Sequence, residues 1–443
     1  MPPVRPDISR PDWQLSRSWY PLGALSLLII ATWKCGTPFF WRDDWLFLIQ
    51  FMQGDPRFLF EPHAGHFLPL FKLAYLAQLY LFGMNVQLFH FVGLSIYALT
   101  CGSFLLLVRS LVDNKPLAFF FAALLAVHPV NFVALLWPFQ LGILIQLLFQ
   151  IWAMRVALGG GEQGTGALLF LLLLGQQLSF GNGHFFPLAV SAVLLLFHGS
   201  RPEARRLAAL AVLLSLSFLF CQYILMREFA AGEVSPLLAR WSRYPTDLVG
   251  FILLTIARAA LILDAMVSKT VARLAAMALL GLALCLSWTD SAFARRLVVV
   301  LAWLFTTSAI VPLARADSAE INYYYNTLAI MPTVLFVALL TAECSRRLAL
   351  QLGPGQVQAW SIAAVILLLT IVFLDQRLVG IFEWRNIKNK QAFTTAMTTN
   401  APYRPFDDPV FGGGPGLQIA PGDAVRAYRY WQQHAVLPDL NRY

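Results

Sequence analysis

The sequence predicts an all-α polytopic membrane protein with about eleven transmembrane helices. Of its 443 residues, 58% are hydrophobic and only 12% are charged, whereas a soluble domain carries about 25% charged residues. Apolar runs of about 20 residues recur along the chain, which is the length that a helix needs to cross the hydrocarbon core. These runs do not alternate between apolar and polar residues, which disfavours a transmembrane β-barrel.

The first outer loop is the longest polar interruption in this pattern. Residues 1–20 are rich in Arg and Pro and are interpreted as a cytoplasmic tail, followed by a first span at 21–38. No small-residue cleavage site follows that span, so it is expected to be retained. Residues 39–85 form the loop, in which 67–82 could lie as a juxtamembrane amphipathic helix with Lys72 reaching the interface.

The later spans are predicted at 86–108, 116–136, 139–158, 167–180, 184–198, 207–226, 272–288, 296–313, 321–341 and 358–376. Residues 246–266 are apolar but contain Arg258 and Asp264, and they are expected to lie flat in the outer interface. The chain thus divides into a transmembrane domain at 1–376 and a small outer segment at 377–443. That segment contains possible helices near 383–398 and 422–435.

The charges of the short loops predict the orientation, because Lys and Arg accumulate in cytoplasmic loops. With an inner N-terminus, the short inner loops hold Arg109, Lys115, Arg155, Arg201, Arg205 and Arg206. The short outer turns at 136–139 and 181–183 hold no Lys or Arg. If 246–266 crossed the membrane, the arginine pairs at 295–296 and 346–347 would fall on the outer side, against this rule. The prediction is therefore a multi-pass plasma (inner) membrane protein with residues 39–85 and the C-terminus on the outer side.

Two adjacent carboxylates follow the first span, in the stretch Trp41-Arg42-Asp43-Asp44-Trp45. Charge at the edge of a membrane is costly and usually serves a function. Neighbouring helical residues point about 100° apart, so one carboxylate can face a cavity while the other caps or pairs locally. Two interpretations remain open: a catalytic acid pair, or a helix cap with a surface charge beside Arg42.

Five histidines lie near the predicted outer ends of spans, at positions 63, 66, 90, 128 and 184. Imidazole is a common metal ligand, but neither HExxH nor a comparable spacing occurs, and the five cysteines form no CxxC. A divalent metal is therefore conceivable but not supported, and no cofactor is indicated. His128-Pro129 could form either a cavity wall or a packing kink.

Several cations are expected at the depth of the acid pair. Lys72, Arg258 and Arg315 are all placed on the outer side, and Tyr323 and Tyr324 open a late span. Interfacial tyrosines are usually membrane anchors, although arginine with a tyrosine also suits phosphate oxygens. Cations around an acid pair would suit a phosphate-bearing lipid.

These features resemble the GT-C superfamily of integral-membrane glycosyltransferases over residues 15–376, of the O-mannosyltransferase and lipid A aminoarabinose transferase type. Four stretches carry the resemblance: Trp41–Trp45, Gly65–Leu70, His128-Pro129-Val130-Asn131, and Tyr323-Tyr324-Tyr325 with Pro332. The tetratricopeptide repeats of one branch are absent, which leaves the acceptor open.

The resemblance implies an inverting transfer of a sugar from a polyprenyl-phosphate donor to a hydroxyl acceptor on a cell-envelope glycan, lipid or protein. It implies Asp43 as base and Asp44 as its partner. The substrate-binding residues would be Arg42, His66, Lys72, His128, Arg258, Arg315, Tyr323 and Tyr324. Nucleic acid is not an expected partner. Two other functions stay open: a transporter or flippase of a lipid-linked sugar, and a non-catalytic membrane protein of envelope assembly.

Overall fold

The structure, a computed structural model, describes residues 19–33, 39–40, 43–63, 66–159, 165–229, 244–261, 268–309, 311, 324–352, 355–356, 377–399 and 423–434. Within these residues the chain is helical and contains no strand. The only extended pairing described is a single bridge between His63 and His66. The chain is therefore an all-α protein.

Seven helices occupy the first 160 residues. They are α1 (Trp19–Trp33), α2 (Asp43–Met52), α3 (Pro69–Phe82), α4 (Val86–Leu111), α5 (Lys115–Val127), α6 (Phe132–Leu136) and α7 (Leu141–Leu158). Short 3₁₀ turns cover Pro56–Leu59, Pro129–Asn131 and Pro138–Gln140. Each of these turns begins with proline, whose fixed φ suits the first position of a helix and whose missing N–H is not needed there.

Nine further helices are described after residue 160. They are α8 (Thr165–Ser179), α9 (Phe186–His198), α10 (Pro202–Phe229), α11 (Tyr244–Leu261), α12 (Lys269–Thr289), α13 (Ser291–Ser308), α14 (Tyr324–Leu352), α15 (Arg377–Thr399) and α16 (Asp423–His434). A 3₁₀ turn at Gly181–Gly183 joins α8 to α9. Asp290 caps α13 by accepting from the backbone N–H groups of Ala292 and Phe293 at 2.8 and 3.1 Å.

Six helices in the described part are long and apolar enough to cross a membrane. They are Val86–Leu111, Pro138–Leu158, Pro202–Cys221, Lys269–Thr289, Ser291–Ser308 and Asn326–Ala349. The pair Lys115–Val127 and Pro129–Leu136 passes the same criterion as one span bent by 44°. The chain is thus a polytopic membrane protein by helix length and composition.

The predicted count of eleven spans is not reached. The predicted spans at 21–38, 167–180 and 184–198 correspond to shorter apolar helices at Pro21–Trp33, Thr165–Ser179 and Phe186–His198. At 1.5 Å per residue, a 13-residue helix covers about 20 Å, less than the ~30 Å hydrocarbon core. The predicted span at 358–376 lies outside the described residues.

One end of the bundle is held together by arginines and is called the arginine end below. Arg346 contacts Asp290 at 2.9 Å and Glu343 at 2.7 Å, and Arg347 contacts the same Glu343 at 2.7 Å. Arg296 donates to the carbonyl of the last residue of α4 at 2.9 Å. The arginine pairs at 295–296 and 346–347 therefore share one end with the α4–α5 turn, as the loop charges predict.

Helix α11 makes three described contacts at the opposite end, which carries α2 and α3 and is called the loop end. The Tyr244 hydroxyl donates to the carbonyl at the C-cap of α13 at 2.8 Å, and Thr255 donates to Asn326 in the first turn of α14 at 2.9 Å. The backbone of Arg258 lies beside the ring of His128 at the end of α5. Because all three contacts are at the loop end, they support a flat placement of residues 246–266.

Candidate functional site

Asp44 is the buried acid of the loop end. It lies in the first turn of α2, where the helix dipole favours negative charge. Its side chain is fully buried, and the hydroxyl of Tyr75 on α3 donates to Oδ1 at 2.9 Å. Asp43 begins α2, but its side chain lies outside the described residues, as does all of Arg42. Asp44 therefore faces α3 and is held in one orientation.

Aromatic rings pack around Trp45, the residue that follows Asp44. Trp45 donates from its indole N–H to the Phe40 carbonyl at 3.2 Å, and its ring lies 4.8 Å from that of Phe393 on α15. Burial and the charge of Asp44 raise the pKa of Tyr75 well above its ordinary value. The Tyr75 phenol is therefore a protonated donor at neutral pH, and water is kept from Asp44.

Lys72 lies one helical turn before Tyr75. It is buried and does not reach the interface as predicted. Its ammonium is fully buried and donates to the carbonyls of Phe58 and Glu61 at 2.5 and 2.7 Å. It also lies 3.8 Å from the centre of the Phe58 ring. Burial lowers the pKa of Lys72 to about 8. In this structure Lys72 ties the loop at 56–61 to α3, and a phosphate contact would require these bonds to exchange.

His66 packs against the turn between α8 and α9. Its ring stacks on Phe180 with 5.1 Å between ring centres. Gly181 allows this approach, because a Cβ at that position would overlap the His66 ring at Nδ1. The backbones of His63 and His66 pair through two hydrogen bonds of 2.9 and 2.8 Å. The predicted substrate-binding role of His66 stays a prediction.

A second polar layer lies around the break between α5 and α6. The Tyr97 hydroxyl donates to the Leu125 carbonyl at 2.6 Å, and Asn131 donates to the Tyr97 oxygen at 2.8 Å. The proline at 129 ends α5 and leaves room for these polar groups.

The same layer brings together two of the predicted substrate-binding residues. The Val130 N–H donates to His128 Nδ1 at 3.2 Å. A neutral His128 ring therefore carries its hydrogen on Nε2, and the ring lies beside the backbone of Arg258. His128 and Arg258 are both buried, and Asn326 of α14 joins them through Thr255. Sequence positions 128, 258 and 326 thus converge only in the folded bundle.

The remaining predicted site residues cannot be placed in this layer. Arg315 and Tyr323 lie outside the described residues. Tyr324 begins α14, but its side chain is also outside the described part of the chain. Among the side chains that the structure describes, no three His, Cys, Asp or Glu groups come close enough to share a metal ion.

A network of glutamines was not anticipated from the sequence. Gln146, Gln150 and Gln176 are fully buried inside the bundle. In the amide orientation that satisfies its neighbours, the Gln146 oxygen accepts from Gln150 and Gln176 at 3.2 and 3.1 Å. The Trp303 indole donates to Gln150 at 3.2 Å. This network joins α7, α8 and α13, as interhelical amides do in membrane bundles.

Helices of the C-terminal segment at 377–443 also pack at the site, although the sequence predicts this segment to be separate from the transmembrane domain. The Trp431 indole of α16 donates to the Leu48 carbonyl of α2 at 3.0 Å. Arg385 of α15 is fully buried, on the same helix as Phe393, which packs on Trp45. The sequence predicts helices near 383–398 and 422–435, but no pattern in it indicates that their side chains pack on α2.

Charged side chains of both signs are buried in the described part of the chain. Among the side chains that the structure describes, the buried charged groups are Asp44, Lys72, Arg258, Glu343 and Arg385. Glu343 belongs to the arginine end, where it contacts Arg346 and Arg347. The other four lie outside that end, and Asp44 and Lys72 both belong to the helices of the loop end.

The fold and the site define an all-α, multi-pass membrane protein with a buried acid and several buried cations at one end of its helix bundle. The chain matches no protein-family model, and no curated protein and no solved structure is significantly similar to it.

Proposed function

We propose that the protein is an inverting GT-C-type glycosyltransferase that uses a polyprenyl-phosphate-linked sugar donor. The observation that carries the proposal is the buried carboxylate of Asp44, which the Tyr75 hydroxyl holds at the start of α2. A lipid phosphate is an anion that sits at the membrane boundary, and arginine matches its oxygens with two parallel hydrogen bonds. The acceptor is a hydroxyl of a cell-envelope glycan, lipid or protein.

Asp43 is proposed as the base. Asp44 is fully buried and accepts from Tyr75, so it suits a supporting role better than contact with an incoming acceptor. Asp43 takes the proton of the acceptor hydroxyl as its oxygen bonds to the anomeric carbon. The bond from that carbon to the phosphate oxygen breaks, and polyprenyl phosphate leaves with the electron pair. A single displacement inverts the configuration, and the cations stabilise the leaving phosphate.

The membrane arrangement of the proposal follows the loop charges. The bent α5–α6 pair and the three shorter apolar helices, with the segment at 358–376, would complete eleven spans. The N-terminus would be cytoplasmic, and the loop end would lie on the outer side of the plasma (inner) membrane. Labelling of single cysteines placed at 52 and 410 by an impermeant reagent tests this orientation, and protection of both would reverse it.

A transporter or flippase of a lipid-linked sugar is the main alternative. Such proteins place ionisable groups along the path through the membrane. In the described part of the chain, the buried charges lie at the two ends, and the interior network consists of amides. This distribution supports a reaction at one face.

The test is a transfer assay with purified protein and radiolabelled polyprenyl-phosphate sugars. Asp43→Asn should abolish transfer while the protein remains folded, and Asp44→Asn should lower the rate strongly. Glu203→Gln, a charge removal at an exposed position of α10, is the control and should leave transfer unchanged. Full activity in both aspartate variants would exclude the proposed chemistry, and movement of donor across vesicles without a new covalent product would favour transport. Tolerance at both aspartates and Lys72 would favour a non-catalytic role.

A further inference from the structure

An apolar groove lies between α9 and α13. Its volume is about 440 Å³, within the ~300–1,000 Å³ of small-molecule sites. The side chains that line it are mostly aliphatic: Leu188 and Ala189 of α9, and Val298, Leu301, Ala302 and Phe305 of α13. Helix α13 is long and apolar enough to cross a membrane, and Val298 and Phe305 are about half exposed on it. The groove therefore faces the lipid of the membrane.

The groove offers no free hydrogen-bond donor to an occupant. Its one polar lining residue is Thr306. The Thr306 hydroxyl donates to the carbonyls of Ala302 and Trp303 at 2.8 and 3.0 Å, so its single O–H is used within α13. A sugar or an extended peptide would lose hydration in this groove without gaining hydrogen bonds. A hydrocarbon chain has no such cost and fits the apolar lining.

Arg295 lies at the mouth of the groove, at the arginine end. Val298, Ala302 and Phe305 follow it at spacings of three, seven and ten residues, which places all four on one side of α13. Arg295 is exposed and forms no ion pair with any residue that the structure describes, whereas Arg296 donates to the end of α4. Phe305 is about 15 Å further along the helix. That length is about half of the ~30 Å hydrocarbon core, the depth of one lipid leaflet.

We propose that the groove and Arg295 form a binding site for an anionic phospholipid of the leaflet at the arginine end. One acyl chain lies between α9 and α13, and the guanidinium binds the phosphate oxygens. In the orientation proposed above, this leaflet is the cytoplasmic one, where anionic lipids create a negative surface potential. Arg295 and Asp44 lie at opposite ends of the bundle, so this inference does not rest on the transferase function.

Native mass spectrometry of the full-length protein in micelles tests the site, with phosphatidylglycerol as the anionic probe and phosphatidylcholine as the probe without net charge. The wild type should retain one phosphatidylglycerol more tightly than phosphatidylcholine. Arg295→Gln should weaken phosphatidylglycerol binding about fivefold, the effect of one cation at an anionic membrane surface, and should leave phosphatidylcholine binding unchanged. Lys115→Gln removes one charge from an exposed position at the same end and should bind like the wild type.

Ala302→Phe fills the groove without changing the charge and should weaken binding of both lipids. Ala209→Phe makes the same change at an exposed position of α10 and should not. Wild-type affinities in Ala302→Phe would overturn the proposal, as would equal losses in Arg295→Gln and Lys115→Gln, which would indicate a diffuse charge effect. A dimer that Ala302→Phe dissociates would assign the groove to a second copy of the chain. Tighter binding of farnesyl phosphate than of phosphatidylglycerol would assign it to the sugar donor and would also reject the phospholipid.

Discussion

Replacing Tyr75 by phenylalanine tests whether its hydroxyl holds the acid of α2. The change removes one oxygen and keeps the ring, which packs on Phe47 and Phe89 with 5.8 and 5.4 Å between ring centres. The lost bond is 2.9 Å long, and its acceptor is the fully buried Asp44. Hydrogen bonds to a charged group contribute about 1.5–3 kcal/mol, so Tyr75→Phe should lower the free energy of unfolding by that amount.

The same substitution in an Asp44→Asn background shows how much of the loss of stability depends on the charge of Asp44. The asparagine oxygen can still accept, but the bond is then neutral and contributes about 1 kcal/mol. The two effects should therefore be non-additive by about 0.5–2 kcal/mol in a double-mutant cycle. Denaturant titration in mixed micelles, followed by tryptophan fluorescence, measures the four proteins.

Tyr80→Phe is the matched control, since it makes the same chemical change on the same helix at a half-exposed position. It should leave the free energy of unfolding within about 0.5 kcal/mol of the wild type. If Tyr75→Phe and Tyr80→Phe are equally stable, the Tyr75 hydroxyl does not hold Asp44, and the supporting role proposed for Asp44 loses its structural basis.

Three further results are expected. Gly183→Ala should destabilise the protein, because a Cβ at that position would overlap the amide of Gln176. Gly281→Ala on α12 is the control, since a Cβ there meets open space. Equal melting temperatures of the two variants would contradict the packing of the glutamine network. Lys72, with its pKa lowered from 10.5 to about 8 by burial, loses its proton earlier in the folded protein than in the unfolded chain. Its contribution to stability should rise between about pH 8 and 10.5, and Lys72→Met should remove that rise from the melting temperature. Trp431→Phe should lower the free energy of unfolding by about 1 kcal/mol and speed hydrogen exchange in α2. Unchanged exchange would show that α16 does not stabilise that helix.

Residue patterns predicted the helical segments well, because long apolar runs leave the backbone no alternative to a helix in lipid. The break after His128 was visible as a His-Pro pair, and proline there ends α5 as expected. The span count was not predictable to the same degree. Helices such as Phe186–His198 are apolar enough to look like spans but shorter than the hydrocarbon core.

The candidate site was only partly predictable. Asp44 drew attention because charge next to an apolar run is rare, and the structure places it at a buried helix start. Lys72 was correctly expected in a loop helix, but its bonds to backbone carbonyls depend on the path of residues 56–61. No local pattern could indicate that Arg385 would be buried, because its helix packs on parts of the chain that lie far away in sequence, such as α6 and Trp45.

By itself the sequence determined that the chain is helical, that it crosses a membrane, and which loops carry the positive charge. These properties follow from short windows of hydrophobicity and from local charge. Only the tertiary structure decided that Tyr75 meets Asp44 and that α15 packs on the start of α2. Those contacts join residues far apart in the chain, and their partners are selected by packing across the whole bundle.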